Sequence, residues 1–211
     1  MTVIVAFVSQ KGGVGKSTLA RALAREATFG GVNVKIADLD TQQGTSVDWH
    51  RLRLSRGIEP TISVEAFSSS SHALAASEGF DLLIIDGPAR TSQATLEIAS
   101  AANLIVQPSG TSRDDLVPAV REFHALINES IPHERLVFSL NRVGTAAEES
   151  SARRYLEKAG YHVLEGFLRD RPAYRQAQNG GKAITETYYS KLNKQSNALI
   201  QSLIDRIPTY G

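Results

Sequence analysis

The sequence predicts a single α/β domain over residues 1–211, with a mostly parallel twisted sheet and helices on both faces. Three observations carry that expectation. Short apolar runs alternate with amphipathic stretches along the chain, the order that lays parallel strands beneath crossover helices. The first run, Val3 to Val8, meets a glycine-rich turn that opens directly into a helical pattern at Leu19, Ala20, Leu23 and Ala24. A hydrophobic content of 42% and a charged content of 21% over 211 residues suit one sizeable core.

The elements follow in order. Strands are expected at Val3 to Val8, Val34 to Ala37, Ile62 to Ala66, Leu82 to Ile85, Leu104 to Val106, Leu136 to Leu140 and Val163 to Phe167. Helical patterns lie between them, notably Ser17 to Phe29, Leu116 to Asn128 and Glu148 to Ala159. Gly30-Gly31 and Gly79 stop helices ahead of strands. Ser68 to Ser71 reads as a solvated connector, Tyr188-Tyr189 as a packed pair. The last helix presents Leu199, Ile200, Leu203, Ile204 and Ile207, an apolar face that docks on the core. Ligands are expected at the carboxyl ends of the strands.

Residues 11 to 18, Lys-Gly-Gly-Val-Gly-Lys-Ser-Thr, form a phosphate-binding loop in the strand-to-helix context that such a motif needs. Gly12, Gly13 and Gly15 let successive N–H groups around Val14 turn inward on a phosphate. The helix opening at Ser17 adds its positive end. Lys16 is then set against the β and γ phosphates, and the Ser17 hydroxyl against a magnesium ion. Thr18 belongs to the same loop, one residue past the position that faces the metal. Gln10 stands where the common motif has its first glycine, and a second lysine, Lys11, follows. A second lysine is surplus inside one subunit. It makes better sense reaching a phosphate held by a facing subunit.

Two acidic segments accompany the loop. Leu82 to Ile85 ends in Asp86, an apolar strand closed by a carboxylate that holds magnesium. Gly87-Pro88-Ala89-Arg90 then makes a loop able to respond to the γ phosphate. Asp38-Leu39-Asp40-Thr41-Gln42 closes another strand, with Asp38 read either as a helper of the metal shell or as structural.

Composition narrows the class further. The chain has no cysteine, which excludes disulfides, thiolate metal sites and the iron–sulfur proteins that carry a related loop. No charged stub with an apolar stretch opens it and no run approaches membrane-spanning length, so a cytoplasmic location is expected. Net charge is +1, yet Arg169 to Lys194 holds six basic residues against two acidic ones.

The Lys-Gly-Gly-x-Gly-Lys-Ser form resembles the deviant Walker A box of the ParA and MinD superfamily of P-loop NTPases, in which the first lysine crosses an ATP-sandwich dimer. The resemblance runs over nearly the whole chain. It includes Trp49, Gln107-Pro108-Ser109 before Asp115-Leu116, and Tyr174-x-x-Ala177 before Gly180-Gly181. These are similar to the small plasmid-partition ATPases, the ParF-like branch without an N-terminal helix-turn-helix domain; with its phosphate-loop strand starting at Val3, this chain is expected to lack one. Asp38 to Gln42 resembles the Walker A′ box, whose second aspartate, here Asp40, helps position the attacking water and serves the metal. Thr41 replaces the usual proline. Asn141-Arg142 resembles the family pair whose asparagine reads the adenine edge, a task its donor and acceptor suit; an ordinary strand-end asparagine is the alternative. The loop around Arg171-Pro172-Ala173-Tyr174 is expected to close over the base, with Pro172 in contact.

The resemblance implies an ATPase of weak intrinsic activity that uses ATP and Mg2+, with Lys11, Lys16 and Asp40 as its catalytic residues. It implies an ATP-dependent homodimer that binds nonspecific DNA, associates with the nucleoid and answers to a ParB-like centromere-binding partner. Arg175, Lys182, Lys191 and Lys194 are the candidate DNA contacts, with Arg153, Arg154 and Lys158 next. The alternative is a MinD-like or other ParA-type ATPase that positions a membrane or protein cargo. A stable membrane association is not expected, because the last helix from Ser196 onward has only Arg206 as a base. A metabolic enzyme of the dethiobiotin-synthetase type is disfavoured by Lys11 and the basic tract.

Overall fold

A computed structural model of the protein describes residues 2–40, 44–88 and 93–208. The strands are β1 (Val3–Phe7), β2 (Val34–Asp38), β3 (Ser63–Ala66), β4 (Leu82–Asp86), β5 (Leu104–Ser109), β6 (Leu136–Leu140) and β7 (His162–Val163). They form one sheet in the order β3-β2-β4-β1-β5-β6-β7, with every neighbouring pair parallel. Helices α1 (Lys16–Phe29), α2 (Thr45–Ser55), α3 (Ser70–Ala75) and α4 (Gln93–Ala101) come first. Then follow α5 (Arg113–Asn128), α6 (Ala146–Lys158), α7 (Pro172–Asn179) and α8 (Ser190–Ile204).

The sheet divides the core in two, as the period-2 alternation of buried strands requires. Val5 and Phe7 of β1 face α1, α8 and Trp49 of α2. Ala6 and Val8 face the other layer, with Phe123 of α5, Leu156 of α6 and Ile98 of α4. The apolar face of the last helix packs as expected, with Leu199, Ile200 and Leu203 fully buried. Among the described residues no helix is long and apolar enough to cross a membrane.

Three expectations are corrected. Strand β7 pairs only at His162 and Val163 and does not run to Phe167, because the chain turns away at Gly166 (φ 78°), whose backbone lies against Leu199 of α8. Ser68 to Ser71 is more than a solvated connector: Ser69 caps α3 by accepting from the His72 N–H, and the buried Ser70 hydroxyl donates to Glu97. Tyr188 and Tyr189 do not pack in the core; they are 90% and 59% exposed. The loop beneath them is held by Asn193, whose amide accepts from the Thr187 N–H (2.9 Å) and hydroxyl (2.6 Å) and donates to the Thr187 carbonyl (2.8 Å).

Candidate nucleotide-binding site

The central strand β1 delivers the phosphate loop to the carboxyl end of the sheet. Gly13 (φ 75°) and Gly15 (φ 108°) adopt left-handed backbone that side chains resist. A Cβ on Gly15 would also lie 2.5 Å from the Asn141 amide nitrogen. Helix α1 starts at Lys16 without a side-chain cap, which leaves its first N–H groups for a ligand. Lys16 is buried, and burial lowers its pKa against the opposing pull of Asp86, Asp40 and Glu122.

Two adjoining clefts meet at Gly13, Gly15 and Thr18. The smaller, of about 230 Å³, is walled by Gly12, Lys16, Ser17, Asp40, Thr45 and Gly87. Asp86, at the end of β4, is 1% exposed and does not itself line this cleft. Burial pushes its pKa up to about 6, against hydrogen bonding from Ser17 and Ser46. Its Oδ2 accepts from the Ser46 hydroxyl (2.8 Å), while Oδ1 is buried without a hydrogen-bond partner among the described residues. An orphaned carboxylate oxygen beside the Ser17 hydroxyl fits a hard divalent cation. Among the described residues no cluster of three or more metal-binding side chains exists, so such a cation would be shared with phosphate oxygens.

The two Walker A′ aspartates differ. Asp38 is fully buried; its Oδ1 accepts from the Asp40 N–H (3.0 Å) and its Oδ2 from the Ser46 (3.0 Å) and Val47 (3.3 Å) N–H groups. It therefore caps α2 from a neighbouring strand, which favours the structural reading. Asp40 lines the phosphate cleft. Thr41, Gln42, Ala89 and Arg90 lie outside the described residues.

The larger cleft, of about 340 Å³, adjoins on the side of Asn141, Arg142, Arg171, Tyr174 and Arg175. Asn141 is buried, donating to the Val14 carbonyl (3.0 Å) and accepting from the Ser139 hydroxyl (3.1 Å), so it braces the phosphate loop as well as lining the cleft. Arg142 holds a left-handed backbone (φ 56°), a strained conformation for a side-chain residue. Pro172 starts α7 at its first turn, between the lining residues Arg171 and Tyr174.

Lys11 does not line the phosphate cleft. Its ammonium pairs with Asp115 at the start of α5, and its side chain remains 49% exposed. Asp115 also accepts from the Ser112 hydroxyl (2.7 Å). Burial raises the pKa of Asp115, but the bonds from Lys11 and Ser112 outweigh it and leave it lowered.

The model of the CobQ/CobB/MinD/ParA nucleotide binding domain matches residues 5–184. The chain belongs to this family. A comparison with curated protein sequences gives no match. Among solved structures, MinD of Pyrococcus horikoshii OT3 complexed with Mg-ADP is similar at a TM-score of 0.76 and 15% identity, over 96% of each chain. A Borrelia burgdorferi B31 protein described as a plasmid partition protein, bound to AMPPNP, is similar at 0.75 and 14%, over 98% of this chain and 100% of that one. Cobyrinic acid a,c-diamide synthase of Mycobacterium smegmatis, with an ATP analogue and magnesium, is similar at 0.71 and 19%, over 100% and 99%.

This MinD/ParA-type domain contains site residues that sequence reasoning missed. Arg21, one helical turn beyond Ser17, is buried in the wall of the phosphate cleft and donates to the Ser46 hydroxyl (3.1 Å). The Thr45 hydroxyl donates to the Ser17 hydroxyl (3.2 Å). The basic tract, by contrast, is not one surface. Arg175 lines the larger cleft and pairs with Asp170. Lys182 sits by the exposed Tyr188, its ammonium 4.4 Å from the ring centroid, and Lys191 and Lys194 are exposed on α8. Of the second group, Arg153 pairs with Glu149 and donates to the carbonyls of Val163, Leu164 and Gly166, a structural role.

Proposed function

We propose that the protein is an ATP-dependent dimerising switch ATPase for DNA partition, one that binds nonspecific DNA as the ATP dimer and is stimulated by a centromere-binding partner. The placement of Lys11 carries this reading. Lysine held outside its own phosphate cleft, half exposed beside an aspartate, is free to exchange that partner for a phosphate on a second copy. The fold is shared with the cobyrinic acid synthase, so the fold alone does not choose between switch and metabolic enzyme.

The residues suit phosphoryl transfer to water, which needs positioning and charge neutralisation more than covalent chemistry. The turned-in backbone from Gly12 to Gly15 cradles phosphate, and Lys16 neutralises it from a buried position. Ser17 and the orphaned oxygen of Asp86 would hold magnesium, with Asp40 near, and the cation would supply neutralisation of phosphate charge there. Asp40 reaches the same cleft and orients the attacking water. Asn141 and Tyr174 line the space for the base.

Lys182, beside the exposed Tyr188, and the exposed Lys191 and Lys194 of α8 are the DNA contacts favoured here, since none of the three forms an ion pair among the described residues. Arg175 stays a weaker candidate, being engaged at the nucleotide cleft. Binding of random duplex DNA with a nonhydrolysable ATP analogue tests the reading. It should require nucleotide, and each lysine-to-alanine change should flatten the log-affinity against log-salt slope by about one. Nucleotide-independent binding, or none at low salt, would refute it.

A further inference from the structure

Helix α2 turns one side-chain hydroxyl, that of Thr45, into the phosphate cleft and buries a second, that of Ser46, against Asp86. Thr45 and Ser46 open the helix, where hydroxyl residues ordinarily satisfy their own helix's free N–H groups. Here they do not. Gly44 occupies the cap position with no side-chain bond, and Asp38 of β2 takes over the Ser46 and Val47 N–H groups. Both hydroxyls are thereby released for other partners. Thr45 Oγ1 lies 3.2 Å from Ser17 Oγ, and Ser46 Oγ donates to Asp86 Oδ2 at 2.8 Å while accepting from Arg21 Nε at 3.1 Å.

Geometry gives each a role. Adjacent oxygens of an octahedral magnesium shell, with metal–oxygen distances near 2.1 Å, stand about 3.0 Å apart. The Thr45 and Ser17 hydroxyls approach that spacing on the wall of one cleft. Ser46 is fully buried and occupies only one oxygen of Asp86, so the other is left unpartnered. Arg21 in turn fixes the Ser46 hydroxyl as acceptor, so its proton points at Asp86.

We propose that Thr45 supplies a second hydroxyl of the magnesium shell beside Ser17, and that Ser46, set by Arg21, is the positioning residue that turns Asp86 toward the cation. The proposal rests on the reading of this cleft as a magnesium–nucleotide site. It assigns to α2 a direct part in sensing whether the cation is present.

The test uses the full chain with Thr45→Ala, Thr45→Ser and Ser46→Ala. Mn2+ binding is followed by electron paramagnetic resonance with a nonhydrolysable ATP analogue, and analogue affinity is measured separately in EDTA. Thr45→Ala and Ser46→Ala should each weaken Mn2+ binding about tenfold, Thr45→Ser should stay within about twofold of wild type, and affinity in EDTA should not change. Should Ser46→Ala fail to fold, the Thr45 pair carries the test alone. Unchanged Mn2+ affinity in Thr45→Ala, a loss that Thr45→Ser does not restore, or an equal loss in EDTA would overturn the proposal. A wild-type protein whose nucleotide affinity ignores Mn2+ would overturn the magnesium reading itself.

Discussion

Arg53→Met removes a guanidinium that is wholly buried while keeping much of its volume. Arg53 donates to the carbonyls of Glu59 (2.8 Å), Pro60 (3.1 Å) and Gly181 (3.2 Å), and to both carboxylate oxygens of Glu186 (2.7 and 3.1 Å). It thus ties α2 to the turn that leads from α7 into α8. Methionine would strand three carbonyls and leave Glu186, whose side chain is 11% exposed, with Arg25 at 3.3 Å as its remaining ion pair. Removing one partner of a buried pair costs about 3–5 kcal/mol, and the surviving Arg25 contact places this case near the lower end. At about 2–4 °C per kcal/mol for a chain of this size, the melting temperature should fall by roughly 6–12 °C. Thermal and urea unfolding of nucleotide-free protein, followed by circular dichroism, measures it. Adding Glu186→Gln to Arg53→Met should recover part of the loss, because no uncompensated buried charge then remains. A shift below about 2 °C, or a double variant weaker by the full sum of the singles, would refute the reasoning.

Glu186→Gln alone should show a pH signature. Burial raises the Glu186 pKa, but the Arg53 bond, the Ala183 N–H and Arg25 prevail and leave it lowered. Its stabilisation is therefore present above the ordinary value of 4.5 and lost as pH falls through the lower folded value, so wild type and variant should converge in melting temperature in acid. Gly87→Ala should abolish nucleotide binding measured by calorimetry, because a Cβ there would meet the Phe7 carbonyl at 2.6 Å and push apart the strands that carry Asp86 and the phosphate loop. Asp40→Ala should bind ATP and dimerise yet release no phosphate in a turnover assay; normal turnover would show that another group orients the water.

What was legible in the sequence was local. Eight consecutive residues, Lys11 to Thr18, lie between an apolar run and a helical pattern, and the loop folds within that segment, so its position needed no long-range information. Asp86 was readable for the same reason, as the last residue of an apolar strand. Thr45 and Ser46 were not, because hydroxyl residues ahead of a helix look like caps. Only the tertiary approach of Asp38 to α2 frees them. Arg21 carried a usable signal: it follows Ser17 by four residues and so shares its helix face. The exposure of Tyr188 and Tyr189 depends on the hydrogen bonds of Asn193 to Thr187, which two adjacent tyrosines in a sequence do not announce. Strand β5 extends through Gln107 and Ser109 beyond the expected Val106, since buried Glu122 accepts from the Gln107 amide (2.6 Å) and makes a polar strand residue tolerable inside.

Lys11 and Lys16 separate the central claim most directly. Light scattering on wild type, Lys16→Ala and Lys11→Ala, each with a nonhydrolysable ATP analogue and magnesium, reads dimer formation while a fluorescent nucleotide reads binding. The wild type should bind and dimerise. Lys16→Ala should lose the nucleotide, since the buried ammonium faces its own phosphate cleft. Lys11→Ala should bind nucleotide as a monomer, because the lysine stands outside that cleft and acts across the interface. A Lys11→Ala protein that dimerises fully with the analogue would contradict the switch.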